Sequence, residues 1–251
     1  MKCPRAVMFD LDETLAESFH PPTETMLEKL ADLSRIVPFA IISGAGLDRI
    51  ERDVLSRLTQ ADMSRISIFP NSGSQGFSWS GDNWQEEYNT NLTAEERDRI
   101  KSVIEQCIEE LPLVKESPHF GERIADREAQ IAFTVLGVDA PQDIKVVWDP
   151  DVAKRRLVKK YLEERLPEFE ILTGGSSTVD ITPKGIDKAN GVAWYAKKLG
   201  VSPGEMFYVG DTLYEGGNDA VVIPTGIQTR LVSGPEETER IVEELLAVCR
   251  A

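Results

Sequence analysis

Two acidic side chains stand two residues apart at the end of a short apolar run near the start of the chain. The run covers Ala6–Phe9, and Asp10 and Asp12 follow it. Carboxylates at this spacing can converge on one Mg²⁺ ion, which takes a few protein oxygens and keeps positions for substrate phosphate. One carboxylate can attack phosphorus while the other protonates the leaving oxygen. The pattern indicates phosphoryl transfer, with Asp10 as nucleophile and Asp12 as acid and base; the alternative is a turn in which both only cap a helix.

A second acidic segment lies late in the chain. Asp211 ends an apolar run, and a Gly-Gly pair followed by Asn218 and Asp219 comes soon after. At a strand end, Asp211 can complete a metal site, while Asn218 and Asp219 can position a lysine or a metal-bound water. The Gly-Asp pair alone is equally compatible with an acidic turn, so its weight depends on the other segments.

Two further segments offer groups that can hold a phosphoryl oxygen. Ser43 and Gly44 follow an apolar run, and the Ser43 hydroxyl with the next backbone N–H can bind phosphate near a helix N-terminus, although a serine here also suits a plain N-cap. Lys188 begins a helical pattern and can offset phosphoryl charge. Because a lysine at a helix start opposes the macrodipole, a functional reason is favoured. Lys184 is the competing candidate, and we favour Lys188.

The elements that must position these residues begin with alternating strands and helices. Strands are predicted at 6–9, 38–42 and 66–69, with a helix after Pro22 and another whose apolar stripe is Leu47, Ile50, Val54 and Leu58. This βαβαβ order implies a parallel sheet covered by helices. Ligands of such sheets bind at the carboxyl ends of the strands, where Asp10 and Ser43 stand.

The middle of the chain follows a different order. Thr93 and Glu96 form a capping box that opens a helix. Strands are then predicted at 121–125 and 130–138, a second helix from Asp149, and strands at 169–173 and 178–182. The α-β-β-α-β-β order predicts a separate α+β module with an antiparallel sheet.

After this module the chain again alternates helices and strands. A helix is predicted at 188–199, strands at 206–209 and 221–223, and a final helix from Pro235. The chain therefore predicts a core domain formed by 1–80 and 184–251, interrupted by an inserted domain at 81–183.

In combination, these segments resemble the haloacid dehalogenase superfamily. Its pattern is Asp-x-Asp after the first strand, Ser or Thr after the second, a lysine before a helix and a late Gly-Asp. The position of the insertion is similar to subfamily IIB, which includes Cof-type phosphatases, sucrose-phosphate phosphatases and eukaryotic-type phosphomannomutases. The resemblance implies a Rossmann-like α/β core with a parallel sheet plus an inserted α+β (C2, type IIB) cap. It also implies Mg²⁺ held by Asp10, the Asp12 backbone carbonyl and Asp211.

Within that subfamily, the motifs are most similar to the phosphomannomutases. Residues 210–219 match Gly-Asp-x4-Gly-Gly-Asn-Asp, and 174–188 follow Gly-Gly-x-x-Ser-x-Asp-x-x-Pro-x-Gly-x-Asp-Lys with Thr178 in place of serine. The resemblance implies that Thr178 and Asp180 contact the substrate. Arg127 fills the first arginine position of the cap motif.

Two departures from that pattern affect the prediction. Val138 stands where the mutases carry a second cap arginine, and a mutase must hold either of two phosphates in turn, a task that suits a guanidinium fork. Glu13 replaces a glycine, so its carboxylate must point away from the phosphate or weaken binding. Val138 favours a Mg²⁺-dependent phosphatase of a phosphorylated sugar or similar small metabolite. The alternatives are a phosphomannomutase-like isomerase and, less favoured because Asp10 and Asp12 are both present, a non-catalytic sugar-phosphate sensor.

The composition of the chain excludes some classes of partner and site and indicates a cellular compartment. The net charge of −15 argues against nucleic acid and anionic membranes, since either requires a basic face. Two histidines argue against a histidine-rich zinc site or a Ser-His-Asp triad, and three scattered cysteines indicate a reducing compartment. With no signal-peptide pattern and no apolar run of membrane-spanning length, we expect a cytoplasmic protein. Family analogy leaves a monomer and a cap-mediated homodimer open.

Overall fold

The computed structural model describes residues 2–18 and 20–250. It divides into two compact units, a core unit of 1–89 with 188–251 and an inserted unit of 90–187. The core unit starts with β1 (Ala6–Phe9), α1 (Glu24–Ser34), β2 (Phe39–Ile42), α2 (Leu47–Asp53), β3 (Ile66–Phe69), β4 (Gln75–Ser80) and β5 (Asn83–Asn89). The inserted unit contains α3 (Ala94–Glu110), α4 (Pro112–Lys115), β6 (Ile124–Asp126), β7 (Ile131–Thr134), α5 (Gln142–Trp148), α6 (Ala153–Arg165), β8 (Phe169–Gly174) and β9 (Thr178–Pro183). The core unit ends with α7 (Lys188–Leu199), β10 (Met206–Gly210), β11 (Gln228–Leu231) and α8 (Pro235–Arg250).

The described strands of the core unit form a seven-stranded sheet in the order β11-β10-β1-β2-β3-β4-β5. The pairs from β11 to β3 are parallel, and β4 and β5 are antiparallel additions at one edge. Phe9 is in register with Val209 on one side and Ile41 on the other. The residues that follow β10, β1 and β2 therefore lie side by side at one edge of the sheet, as the predicted α/β fold requires.

Helices cover both faces of this sheet, which explains why its central strands are continuous apolar runs. Val7 and Phe9 belong to a cluster with apolar residues of α1, α2 and α8. Ala6 and Met8 belong to the opposite cluster, with Tyr195 of α7. The alternation along β1 thus fixes the strand between two cores and makes the position of Asp10 rigid.

The inserted unit has its own sheet and its own core. Its described strands form an antiparallel sheet in the order β6-β7-β9-β8. Apolar residues of α3 and α6, among them Ile104 and Val158, cluster with strand residues such as Phe133. The predicted capping box is confirmed: Glu96 N–H donates to Thr93 Oγ1 at 3.2 Å, and Thr93 N–H to Glu96 Oε2 at 2.7 Å.

Three local predictions were wrong or incomplete. The strand predicted at 221–223 is a 3₁₀ segment over Ala220–Thr225, where Pro224 has no N–H for a strand ladder, and the strand forms instead at Gln228–Leu231. The helix predicted to run to Leu58 ends at Asp53 and gives way to a 3₁₀ turn. Helix α5 was not predicted.

The hairpin β4–β5 was also not predicted, and it changes the residue at which the first segment of the core unit ends. Strand β5 pairs along its length with β4, which itself pairs with β3. The hairpin therefore belongs to the core sheet, and the units separate after Asn89 and again before Lys188. The boundaries predicted from sequence were after residues 80 and 183.

The two terminal segments of the core unit are joined by a disulfide. Cys3 and Cys249 are paired across a sequence separation of 246, with Cα atoms 4.9 Å apart. Cys107 is a buried thiol in the core of the inserted unit, and burial raises its pKa to about 12. Disulfides are more typical of oxidising compartments, so the predicted cytoplasmic location stays a prediction. Over residues 2–18 and 20–250, the helices are too short or too polar to cross a bilayer.

Candidate active site

Asp10 lies directly after β1 and is bound to the sheet. Its backbone N–H donates to Val209 O at 3.0 Å, and its side chain is buried. Lys188, the first residue of α7, is 1% exposed and places Nζ 2.7 Å from Asp10 Oδ1 and 2.7 Å from Asp219 Oδ1. Three predicted site residues from distant segments are therefore in direct contact.

The alternative lysine has its described partners within the inserted unit. Lys184 belongs to the inserted unit, where its Nζ is 3.4 Å from Glu170 Oε2 and donates to Phe169 O at 3.2 Å. This geometry favours Lys188 as the cation of the site.

Asp10, Asp211 and Asp219 form a group of carboxylates. Each offers an oxygen, and these oxygens lie within 4.8 Å of one another. Among the described residues, Lys188 is the cation paired with this group, and it contacts Asp10 and Asp219, so three ionised carboxylates leave a surplus of two negative charges. Hard oxygen donors with such a surplus fit a divalent cation such as Mg²⁺.

Burial is the largest influence on the pKa values of these acids, and the charges of their neighbours modify its effect. Burial raises the pKa of Asp10 well above its usual range, and Asp219 and Asp211 raise it further, while Lys188 opposes them. Burial and then the charge of Asp219 raise the pKa of Asp211 to about 7. Although burial acts to raise the pKa of Asp219, its contacts with Lys188 outweigh this and lower it. Asp219 is therefore the stable anion that holds Lys188 in place.

Further groups fix the Asp219 carboxylate. Tyr208 Oη donates to Oδ1 at 2.5 Å, Thr212 N–H donates to Oδ2 at 3.1 Å, and Thr212 Oγ1 lies 2.9 Å from Oδ2. Thr212 Oγ1 is also within hydrogen-bond distance of Asn218 Oδ1. A Cβ at Gly210 would lie 2.3 Å from Asp219 Oδ2, so glycine is required there. The supporting role predicted for Asn218 and Asp219 thus has a structural basis in this network.

Ser43 lies in the loop after β2, which is the neighbour of β1. Its Oγ accepts the N–H of Ala45 at 3.0 Å, and its backbone N–H donates to Phe69 O at 3.1 Å. Helix α2 begins later and has Gly46 as its N-cap, so Ser43 is not an N-cap. Ser43 is buried and Gly44 is half-buried at the edge of the sheet where Asp10 lies.

Asp12 has a partner that the sequence analysis missed. Arg49 donates Nη1–H to Asp12 Oδ2 at 2.9 Å and Nη2–H to Oδ1 at 2.5 Å. Among the described residues, the Asp12 carboxylate is not part of the group formed by Asp10, Asp211 and Asp219. Arg49 stands in the first turn of α2, where a cation opposes the macrodipole. That placement was the sequence signal for Arg49.

Glu13 departs from the glycine of related motifs, and its backbone shows why glycine is common there. Its φ is 56°, in the region that favours glycine. The Glu13 carboxylate accepts the N–H of Ser18 at 3.0 Å, so it turns back onto its own loop. It remains near enough to contribute to the raised pKa of Asp211.

The candidate substrate residues of the inserted unit share one sheet. On β9, Thr178 and Asp180 point to the same face, and they pair with Thr134 and Ala132 of β7. Thr178 Oγ1 is 3.1 Å from Thr134 Oγ1. Asp180 is buried and accepts from Gln130 Nε2 at 2.9 Å.

Two other positions of the inserted unit lie in loops. Arg127 is half-buried in the β6–β7 hairpin loop, where its N–H donates to Gln130 O at 2.9 Å. Val138 is 40% exposed, and its carbonyl accepts from the buried Lys145 at 3.2 Å. The side chain at 138 therefore supplies no hydrogen bond, whereas a cation lies at its carbonyl.

Comparison with known proteins places this geometry in a family. The sequence model of the haloacid dehalogenase-like hydrolases matches residues 7–219, which include the segments of Asp10, Ser43, Lys188 and Asp211. The chain belongs to this family. It is thus a member of an enzyme family of the haloacid dehalogenase superfamily, with a Rossmann-like core and a type IIB insertion.

Curated relatives extend over almost the whole chain. A protein of Caenorhabditis elegans described as a probable phosphomannomutase is 22% identical, covering 96% of this chain and 94% of its own length. The phosphomannomutase of Spinacia oleracea is 23% identical, covering 95% of this chain and 94% of its own. The predicted resemblance of this chain to the phosphomannomutases is therefore confirmed.

Solved structures share the fold. The IMP-bound, N-terminally truncated IMP-nucleotidase of Plasmodium falciparum has a TM-score of 0.73 at 16% identity, covering 97% of this chain and 68% of that one. A haloacid dehalogenase-like hydrolase from Bacteroides thetaiotaomicron has a TM-score of 0.63 at 17% identity, covering 96% of this chain and 99% of that one. These likenesses confirm the predicted α/β fold class.

Proposed function

We propose that this protein is a Mg²⁺-dependent phosphatase that hydrolyses a phosphorylated sugar or similar small metabolite through an aspartyl-phosphate on Asp10. The observation that carries the proposal is the buried contact of Lys188 with both Asp10 and Asp219, at 2.7 Å each, beside Asp211. Burying charged groups costs desolvation energy, so a buried ion pair is a weak source of stability and a functional reason is favoured. Clusters of acids with perturbed pKa values are also typical of functional sites.

The residues divide the reaction between them. An Asp10 oxygen attacks phosphorus, and Lys188 offsets the negative charge that builds on the phosphoryl group. Ser43 and the Gly44 backbone hold phosphoryl oxygens. Asp12 donates a proton to the leaving alkoxide and then takes one from the water that attacks the aspartyl-phosphate.

Asp10, the Asp12 carbonyl and Asp211 are the residues that would hold Mg²⁺. When bound, the ion supplies charge neutralisation between the anionic nucleophile and the anionic phosphate. Asp219 serves the site through Lys188, because both of its oxygens are already engaged by Lys188, Tyr208 and Thr212.

A phosphomannomutase-like activity is the second candidate. The curated phosphomannomutases align over 95% or more of this chain, and Thr178 and Asp180 share a face of the inserted sheet. Val138 opposes it, because a valine supplies no fork for a second phosphate. Hydrolysis is therefore favoured over isomerisation by one side chain, that of Val138. A direct comparison of the two activities decides between them.

The deciding experiment measures both products with one preparation. Phosphorylated metabolites are screened for phosphate release with Mg²⁺ and with EDTA, and mannose 1-phosphate is assayed for conversion to mannose 6-phosphate with and without a bisphosphorylated hexose. We expect Mg²⁺-dependent phosphate release as the only product. Conversion that depends on the activator would establish the mutase, and binding without turnover would establish a sensor.

Asp10→Asn tests the nucleophile, with Asp32→Asn as the matched control. Asp32 is a half-buried residue of α1 that is paired with Arg35 and Arg250. Asp10→Asn should abolish turnover and keep the circular dichroism spectrum, while Asp32→Asn should keep both. Substantial activity in Asp10→Asn overturns the mechanism.

Our proposal for the ligand, the location and the oligomeric state rests on the net charge of the chain and on its family. We propose a small phosphorylated metabolite as the ligand, with neither nucleic acid nor membrane, in a cytoplasmic monomer or cap-mediated homodimer. We assign substrate contacts to Arg127, Thr178 and Asp180. Size-exclusion chromatography with light scattering checks the oligomeric state.

A further inference from the structure

Arg49 and Asp12 are joined by a two-point ion pair. The Nη1 and Nη2 donors of Arg49 each bind a different oxygen of Asp12, at 2.9 and 2.5 Å. Such a fork fixes the plane of a carboxylate as well as its position. The side chains are partly buried, at 17% exposed for Arg49 and 27% for Asp12, so the pair is screened less than one on the open surface.

Arg49 also lies near a second carboxylate, that of Asp53. Its Nε lies 3.4 Å from Asp53 Oδ2, and both residues belong to α2. Asp53 is buried and is bound by Arg52 through Nε at 2.7 Å and Nη2 at 3.0 Å. The guanidinium of Arg49 therefore has a second, longer ion pair within its own helix, beside its two hydrogen bonds to Asp12.

The position of Arg49 in its helix is unfavourable for a cation, apart from the i,i+4 ion pair with Asp53. Arg49 stands in the first turn of a helix, where positive charge opposes the macrodipole and Asp48 is the favourable residue. Although burial lowers the pKa of Arg49, its bonds to Asp12 and the charge of Asp53 outweigh this and raise it. The guanidinium is thus a permanent charge that makes its two hydrogen bonds to Asp12.

We propose that Arg49 is the positioning residue for the acid and base work of Asp12. This inference rests on the proposed function, because it assigns Arg49 to the proton transfers of that reaction. An acid catalyst must hold its oxygen within hydrogen-bond distance of the leaving oxygen. Arg49 can keep one N–H on one Asp12 oxygen while the other oxygen turns to the substrate.

The proton balance defines what Arg49 has to support. In the first step the bond from Asp10 to phosphorus forms, the bond from phosphorus to the leaving oxygen breaks, and Asp12 gives its proton to that oxygen. In the second step Asp12 takes a proton from water as the water oxygen bonds to phosphorus and Asp10 leaves. Arg49 touches neither phosphorus nor the leaving oxygen in this scheme, so its effect passes through Asp12.

The leaving group separates this role from a phosphate-binding or folding role. The value of kcat/KM reports steps up to formation of the aspartyl-phosphate. A sugar alkoxide needs a proton in that step, whereas the p-nitrophenolate of p-nitrophenyl phosphate leaves without one. Loss of a positioned acid must therefore lower kcat/KM for the alkyl ester selectively.

The test compares Arg49→Met and Arg49→Lys with Arg57→Met as the control. Arg57 lies further along the same segment and pairs with the exposed Glu24. Each protein is assayed with Mg²⁺ on p-nitrophenyl phosphate and on the alkyl phosphate that the wild type hydrolyses fastest. Asp12→Asn and the double variant with Arg49→Met complete a mutant cycle.

We expect Arg49→Met to lower kcat/KM for the alkyl phosphate by about 10–100-fold, a part of the roughly 10²–10⁴-fold that acid–base catalysis supplies. The value for p-nitrophenyl phosphate should change by less than about threefold. Arg49→Lys, which keeps the charge without the fork, should recover part of the loss. In the Asp12→Asn background, Arg49→Met should add no selective loss.

Each contrary outcome points to a different error. An equal fall on both substrates, or an additional loss in the Asp12→Asn background, overturns the positioning role and assigns Arg49 to phosphate binding or folding. If Arg49→Met does not fold, Arg49→Lys without selectivity between the substrates has the same meaning. If the wild type hydrolyses neither ester, or Asp12→Asn shows no selectivity, the proposed function fails before Arg49 is tested.

Discussion

Replacing Lys188 with methionine tests how the site is held together. Methionine fills much of the same volume but leaves Asp10 and Asp219 without their shared cation. Lys188 and both carboxylates are almost fully buried. Removing one partner of a buried ion pair typically costs about 3–5 kcal/mol, because a charge is left uncompensated in a medium of low dielectric constant.

The magnitude should depend on pH in a definite direction. Burial already raises the pKa of Asp10, and the loss of Lys188 removes the main influence that lowers it. An acid whose folded pKa exceeds its unfolded value adds stability below the unfolded value, and that stability is lost as the pH rises through the folded one. The variant should therefore be closest to the wild type near pH 5 and least stable near pH 8.

The assay is urea denaturation of both proteins at these pH values, with and without Mg²⁺. In the absence of Mg²⁺ near pH 8, we expect the variant to lose about 3–5 kcal/mol in free energy of unfolding. Mg²⁺ should restore more stability to the variant than to the wild type, since the carboxylate group then lacks the charge of Lys188. Equal stability of the two proteins at pH 8, or an equal effect of Mg²⁺, would refute this account of the site.

The remaining predictions concern the disulfide and the wild-type pH response. Cys249→Ser opens a loop closed across a separation of 246, so chain entropy predicts a loss of up to about 5 kcal/mol in free energy of unfolding, measured by urea denaturation. Reductant should produce the same loss in the wild type and none in the variant; a wild type indifferent to reductant would contradict the pairing with Cys3. The pKa of Asp211 is about 7 in the folded protein, above the usual value of 3.8, so metal-free wild type should lose stability as the pH rises from about 4 to 7. Thermal unfolding across that range checks this, and Mg²⁺ should flatten the profile by favouring the ionised form.

Local and periodic signals predicted the core elements well. Strand β1 and helix α7 lie where the apolar run Ala6–Phe9 and the stripe ending before Gly200 placed them. The residues at the ends of β1 and β10 are adjacent because parallel strands share one edge, and that rule is accessible from sequence. The proximity of Asp10 and Asp211 follows from it.

What sequence reasoning missed depends on pairing between distant segments. Strand β5 is mostly exposed, so it has little of the apolar alternation that marks a strand, and its partner β4 decides its conformation. Asp12 and Arg49 stand on different elements, and so do Cys3 and Cys249. No local pattern marks such pairs, because their proximity arises only from the order of strands and the packing of helices.

The negative net charge of the protein affects how the site can bind a phosphate ester. A chain with a net charge of −15 repels a phosphate ester, so the site needs local positive charge. Lys188 is already shared by Asp10 and Asp219, and Arg49 is already bound to Asp12. In the free protein these two cations are already paired with carboxylates, so Lys188 must offset phosphoryl charge while Asp10 and Asp219 share it. Substrate affinity, and not only turnover, should then depend on a divalent cation, which would appear as a loss of substrate binding to Asp10→Asn in EDTA.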